Sequence, residues 1–479
     1  MNARYLIVSD LHLTEVVEPV RGWMHYKGEE LVVDGDLDGL VRRFVAESPD
    51  DVELTLVLNG DVFDFDLVTT IPEPAPWPVS RSERRYGLDP TPDKSVWKMR
   101  HMLASHPGFV ATLGRFVAAG HRVVYVLGNH DRELAFAEVQ AVLGEAVAEA
   151  AAAHGRVVTP ESCVRFEPWC FFERGELWIE HGNQYDDWSS FHDLVRPVER
   201  EVDGAPMELP MGNLSCRYLI NRIGTFNPHS EDFIRSGPAY VAHWLRYYAF
   251  SRHSLIGSWI LGSFLIVLTM LRVRRRTRGA AVHPREHLVA DGARHGLTTE
   301  QVDHLRGGFS RPVSEQLWRL LRELWLDRLV LMALMVGGTV ALALTPIPLW
   351  VKLMVPLTAF PLAWFLWDGV FSGSIFDYVA RLPDVARRIS DTTGARVVVM
   401  GHTHLAGVTP LDRGRTLANT GTWAPVGAGV DGEPLTPGKQ NYVVVELGGE
   451  PAVEVGAWMP SPAPQHAVVP SGAPAPVRV

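Results

Sequence analysis

The stretch Leu54-Thr55-Leu56-Val57-Leu58-Asn59-Gly60-Asp61-Val62-Phe63-Asp64 runs from an uninterrupted apolar segment into a glycine and two acids. A short apolar run bounded by turn residues reads as a buried strand, and this one delivers carboxylates at its carboxyl end. The pattern recurs. Residues 5–8 lead into Asp10-Leu11-His12, residues 123–127 into Gly128-Asn129-His130-Asp131, and residues 397–400 into Gly401-His402-Thr403-His404. Residues 177–180, before His181-Gly182-Asn183, are a weaker instance. Ligands of an open α/β sheet collect beyond the carboxyl ends of its strands, so the five blocks are expected to converge on one edge.

The donor types narrow the chemistry. Carboxylates, imidazoles and one amide oxygen, with no cysteine in any block, suit Mn, Fe or Zn rather than a thiolate site, and Mn is favoured. A carboxylate shared between two divalent cations holds them roughly 3.5 to 4 Å apart, the spacing used in phosphoryl displacement. Asp61 is the candidate bridge.

With these blocks in this order, the sequence resembles the calcineurin-like metallophosphoesterase family over residues 1–193 and 383–456. The resemblance implies an α/β fold, a two-sheet sandwich (α-β-β-α). It assigns one metal to Asp10, His12, Asp61 and His404, and the second to Asp61, Asn129, His181 and His402. His130 matches the family's catalytic histidine, with Asp131 expected to orient it. Asn419-Thr420-Gly421-Thr422 is close to the Asn-x-Gly-Ser stretch usual after the last block. The implied chemistry is attack of a metal-activated hydroxide in line on phosphorus, with His130 protonating the departing oxygen or stabilising transition-state charge.

The chain has 479 residues, 47% hydrophobic, enough for more than one domain and for a sizeable core or a membrane segment. Cys163, Cys170 and Cys216 form neither a metal spacing nor an even disulfide framework, which favours a reducing compartment. Met1 enters the first strand at once, leaving no room for a secretory segment, so the catalytic domain is expected to face the cytoplasm. A net charge of -10 argues against nucleic acid as a partner. Helices are expected around 38–46, 95–119 and 133–153, and a surface loop over the Pro- and Arg-rich 71–92.

The core is expected in two parts, 1–193 and 383–459, separated by a helical cap over 194–382 and followed by a disordered Pro/Ala-rich tail over 460–479. Three apolar stretches in the cap, 255–271, 329–345 and 347–367, are of threshold length for spanning a bilayer, with Trp259, Trp350, Trp364 and Trp367 near their ends. Arg272, Arg274, Arg275, Arg276 and Arg278 follow the first stretch as a cytoplasmic flank would.

Because His181 precedes the insertion and His402 follows it, the chain must cross a membrane an even number of times. The consistent topology makes 255–271 re-entrant or interfacial and turns 329–345 and 347–367 into a hairpin near Thr345-Pro346. The alternative lays all three on one leaflet.

A membrane-associated phosphoesterase most economically acts on a phosphorylated lipid. His181-Gly182-Asn183-Gln184-Tyr185-Asp186 leading into a helical insertion is similar to the UDP-2,3-diacylglucosamine pyrophosphatases, although those carry Arg where this chain has His130. Arg217 and Arg222 are candidate substrate contacts. Asp186, Asp187 and His192 read rather as structural. A membrane-anchored phosphodiesterase or nucleotidase with a soluble substrate is the alternative function, and a non-catalytic membrane scaffold a further one.

Overall fold

The computed structural model describes residues 3–18, 24–199, 204–223, 245, 255–277, 283–370, 378–424 and 439–458. Alternation along the strands builds the layers, because successive side chains of a strand point to opposite faces. From β1 (Ala3–Val8), β2 (Glu53–Asn59) and β3 (Arg122–Val126), one set of side chains, Leu6, Val8, Leu56, Leu58, Val123 and Tyr125, packs on helices Asp34–Ala46, Pro92–Ser105, Pro107–Ala118 and Ala137–Ala153. The other set, Tyr5, Ile7, Val57, Val124 and Val126, meets a second sheet.

The first sheet has six strands in the order β11-β10-β1-β2-β3-β4, with β1 to β4 (Arg165–Glu167) parallel and β10 (Asn441–Leu447) and β11 (Ala452–Ala457) antiparallel at one edge. The second has five, β5-β6-β7-β9-β8: β5 (Cys170–Glu173), β6 (Leu177–Glu180), β7 (Val397–Met400), β8 (Gly407–Pro410) and β9 (Thr416–Asn419). Here β6, β7 and β9 run parallel. Its inner face sets Phe171, Ile179, Val399 and Ala418 against the first sheet, and its outer face packs on helices Pro284–Arg294, Thr299–Arg306 and Leu382–Thr393. The expected two-sheet sandwich flanked by helices is the observed fold. The single helix expected over 95–119 is two, because Pro107 has no N–H to continue the first and opens the second. Within 71–92 the helical residues are Glu83–Tyr86 and Pro92, which opens the next helix. The tail expected over 460–479, the side chain of Arg276 and all of Arg278 lie outside the described residues.

β6 and β7 are adjacent, yet everything between residues 180 and 397 is inserted there. Among the described residues, three helices of this insertion are long and apolar enough to cross a membrane: Gly257–Arg275, Leu326–Ala343 and Leu349–Trp367. They differ in what surrounds them. The first, part of helix Leu255–Thr277, buries Ile266 and Met270 against Met211, Leu214, Tyr218 and Leu320. The other two leave Leu334, Val336, Val340, Leu349, Leu357 and Phe365 exposed. They form a hairpin joined by residues 344–348, closed at its base by Trp367 Nε1 donating to Asp327 Oδ2 at 2.8 Å. Eighteen residues span about 27 Å at 1.5 Å per residue, close to a hydrocarbon core. The second arm contains Pro356 and passes through a π-helical turn at Val355–Ala359. Of the tryptophans expected as anchors, Trp350 is exposed, whereas Trp259 donates to Leu324 O at 3.0 Å and Trp367 to Asp327.

Candidate metal centre

Each of the five blocks lies where a parallel strand ends. Asp10 and His12 follow β1, Asp61 follows β2, Asn129 and His130 follow β3, His181 follows β6, and His402 and His404 follow β7. The chain must turn sharply at these points to aim side chains back at one another. Of nine non-glycine residues with positive φ among the described residues, five are Asp10, His12, Asp61, His402 and His404. Such conformations cost energy and persist where the surroundings over-determine them, as at functional sites. Gly128 is required by contact: a Cβ there would lie 2.2 Å from Asp61 Oδ1.

Among the described residues, three groups of donor atoms lie, within each group, no more than 4.8 Å apart: Asp10, His12 and His404; Asp61, His181 and His402; and His12, Asp64 and His130. In the first, His404 Nε2 is 3.2 Å from Asp10 Oδ1 and 3.4 Å from His12 Nε2. In the second, His181 Nδ1 donates to Asn59 O at 2.9 Å, which directs Nε2 at Asp61 Oδ2, 3.2 Å away. In neutral histidine that nitrogen is a lone pair, so a lone pair confronts a carboxylate oxygen unless a proton or a cation lies between. Asn129 Oδ1 is buried with no hydrogen-bond partner. Orphaned oxygen and nitrogen donors around shared acids fit divalent cations. His402 Nε2 also lies 3.2 Å from Asp186 Oδ2.

Outside these donors a further set of contacts holds the loops. Thr422 Oγ1 and Trp423 N donate to Asp10 O at 3.1 and 3.0 Å, Asn419 Nδ2 to Gly401 O at 3.1 Å, and His402 N to Asp10 Oδ2 at 3.1 Å. Asp64 orients two imidazoles at once: its Oδ2 is 3.6 Å from His12 Nδ1 and 3.3 Å from His130 Nδ1, while its Oδ1 accepts from the N–H groups of Asp66 and Leu67. A carboxylate behind a ligating imidazole fixes its tautomer and raises its basicity.

The field is strongly negative. Burial opposes a charged imidazole at His130, but Asp64, Asp61 and Asp66 outweigh it and push its pKa up to about 10. At His181 burial is likewise outweighed by Asp61, giving about 9. Burial, aided by Glu133 and Asp64, raises the Asp66 carboxyl to about 7. A cation would relieve what protons relieve here.

Two expected roles change. Asp131 accepts from Val62 N at 2.9 Å, Tyr125 Oη at 2.6 Å and Gly128 N at 2.7 Å, so its carboxylate pins the loops after β2 and β3. The carboxylates facing His130 Nδ1 are Asp64 and, at 3.7 Å, Asp66. Adjacency to His130 in sequence suggested a dyad, but the turn after β3 sends neighbouring side chains different ways. Arg217, expected to meet substrate, is buried and donates to Gly87 O at 2.8 Å, Leu88 O at 3.1 Å and Asp89 Oδ1 at 2.6 Å, holding the loop before helix Pro92–Ser105. Arg222 is half-buried in the short helix Asn221–Ile223. Asp186 caps its own turn by accepting from Trp188 N at 3.0 Å. Sequence reasoning missed the roles of Asp64 and Asp66. Their signal was present in the acid spacing after Gly60.

Residues 3–214 match the family model of the calcineurin-like phosphoesterases, and this part of the chain is a calcineurin-like phosphoesterase domain. That family consists of metal-dependent phosphoric ester hydrolases. The match contains Asp10, His12, Asp61, Asn129, His130 and His181, while His402 and His404 lie beyond it. No curated protein matches the chain.

Asp64→Ala should weaken Mn binding to the full-length protein about 10- to 100-fold in a chelator competition, because His12 loses its orienting carboxylate. Asp131→Ala should instead lower stability by about 1–3 kcal/mol, because the buried Val62 and Gly128 N–H groups lose their acceptor; thermal melts separate the two effects. The metal-free protein should lose stability as pH rises from 7 toward 10. A histidine whose folded pKa is raised above 6.5 stabilises fully below the unfolded value, and that contribution is lost as pH climbs through about 9 and 10 for His181 and His130. Melting temperature against pH, with and without Mn, checks this: the fall should flatten when Mn is present.

Proposed function

We propose that this protein hydrolyses a phosphoester or pyrophosphate bond in a lipid-linked or membrane-proximal substrate, using two divalent cations, with Mn favoured over Fe or Zn. Asp10, His12, Asp61 and His404 would hold one cation, and Asp61, Asn129, His181 and His402 the other. The observation that carries the reading is the pair of buried donors, Asn129 Oδ1 without a partner and His181 Nε2 facing Asp61 Oδ2 at 3.2 Å. When bound, two cations acidify a water and polarise phosphoryl oxygens.

The chain's own groups supply the rest. Asp61 accepts the His130 backbone N–H at 2.7 Å through Oδ1, leaving Oδ2 toward His181. His130 turns Nδ1 to Asp64 and Asp66, which sets Nε2 at the far edge of the ring to deliver a proton to the departing oxygen. Before cations bind, Asp64, Asp61 and Asp66 raise the pKa of this imidazole and favour its protonated form.

Membrane placement draws support from the insertion. The hairpin's exposed apolar residues and its length suit hydrocarbon, and a two-helix hairpin returns the chain to the side it left, as the shared centre demands. Arg272, Arg274 and Arg275 at the end of helix Leu255–Thr277 suit an anionic cytoplasmic leaflet. The resemblance of residues 181–186 and the following insertion to the UDP-2,3-diacylglucosamine pyrophosphatases favours a lipid-linked diphosphate within this class.

Purified protein should hydrolyse bis(p-nitrophenyl) phosphate with Mn stimulation that disappears in Asp61→Ala, and His130→Asn should lower kcat about 10²- to 10⁴-fold. In mixed micelles, lipid mass spectrometry should detect a dephosphorylated or headgroup-cleaved lipid that the Asp61→Ala protein does not form. Cleavage of soluble diesters with an unchanged lipid fraction would leave the anchored soluble-substrate enzyme. No Mn-stimulated turnover at all would leave a scaffold.

A further inference from the structure

Asn213 lies on the short helix Met211–Ser215 of the insertion and is completely buried. Both ends of its amide are engaged, and all three partners lie at the metal centre. Its Nδ2 donates to Asn129 O at 2.9 Å and to Asp66 Oδ2 at 2.6 Å, and its Oδ1 accepts from Asn129 Nδ2 at 3.4 Å. The Asn129 amide is thereby turned with its nitrogen toward the cap, which leaves Oδ1 buried and unpartnered. The orientation matters chemically. A carboxamide oxygen has lone pairs for a hard cation, whereas the amide nitrogen offers only N–H donors, so a flipped Asn129 would repel what it is meant to hold.

The same run of chain is fastened to an apolar helix. Leu214 and Tyr218 share a core with Ile266 and Met270 of helix Leu255–Thr277. The approach is close enough that a Cβ on Gly262 would lie 2.2 Å from Leu219 Cδ2 and 2.8 Å from Tyr218 O. One side of a segment long and apolar enough to cross a membrane therefore abuts the turn that carries Asn213.

We propose that Asn213 is a positioning residue that holds the Asn129 side-chain oxygen toward the metal centre, so that the apolar insertion, and not the strand-end loops alone, completes the second cation site. This rests on the phosphoesterase reading above and extends it. The insertion then does more than place the enzyme at a surface, because loosening helix Leu255–Thr277 from its neighbour would release the amide that orients a ligand.

The test is Mn binding to metal-stripped, full-length protein in detergent, by competition with a chromogenic chelator, alongside Mn-dependent diesterase kinetics. Wild type should bind two Mn. Asn213→Ala should retain one site and weaken the other about 10- to 100-fold, with kcat restored when Mn is raised. Leu305→Ala, a truncation of a buried leucine where the insertion packs on the second sheet, in a core separate from that of the Asn213 helix, controls for general loosening and should leave both Mn affinities near wild type. The proposal is overturned if Asn213→Ala binds both Mn as tightly as wild type, if Leu305→Ala weakens binding equally, or if kcat of Asn213→Ala stays low at saturating Mn. Wild-type protein that binds no Mn would overturn the phosphoesterase reading and this inference together; two tightly held Mn in both wild type and Asn213→Ala would overturn this inference alone.

Discussion

The buried carboxylate of Asp61 is the point at which the two sheets meet chemically. One oxygen takes a backbone N–H from the loop after β3 in the first sheet, and the other faces His181 at the end of β6 in the second. Burial opposes its ionisation, yet His181 and His130 hold the carboxyl well below the usual range. Its position depends on apolar packing several residues away, where Tyr5, Ile7, Val57 and Val124 meet Phe171, Ile179 and Val399. Interiors at crystal-like density do not slide continuously, so the facing sheets act as a rigid jig for donors that come from separate strands. A slip of one sheet over the other would part His181 and His402 from Asp10 and Asp61 without breaking a single strand.

Much of this was legible along the chain. Apolar runs ending in glycine, acid and histidine located β1, β2, β3 and β7, and the direction of parallel strands explains why their ends converge. What was not legible depends on which way a side chain leaves a turn. Asp131 follows His130 directly but bonds back to Gly128, Val62 and Tyr125, and Asp64, separated from His130 by more than sixty positions, takes the orienting place. Arg217 looked like an anion receptor because a cation in a cap invites that reading, and only tertiary structure reveals the carbonyl oxygens around it. Asn213 sits in Met-Gly-Asn-Leu-Ser, a stretch without periodicity, and its partner Asn129 is eighty-four positions away.

The insertion divides its labour by burial. Helix Leu255–Thr277 is partly absorbed into a core with the chain around Asn213, whereas the hairpin of Leu326–Ala343 and Leu349–Trp367 presents apolar side chains outward along nearly its whole length. An exposed apolar surface of that extent is untypical of a soluble monomer. The single lysine of the hairpin, Lys352, turns its ammonium to Ala343 O at 2.8 Å and so satisfies a carbonyl at the end of the first arm. At the other end, Asp327 and Trp367 tie the two arms where they rejoin the cap.

The adjacency of β6 and β7 also sets an order of manufacture. A ribosome makes β6, then the whole insertion, and only then the strand that pairs beside it. Through that interval the nascent chain carries an open strand edge and an unshielded apolar hairpin together, two features that promote association with other chains. His402 and His404 emerge later still. The metal centre is thus among the last parts of the molecule to be finished, after its most apolar segment has already needed shelter.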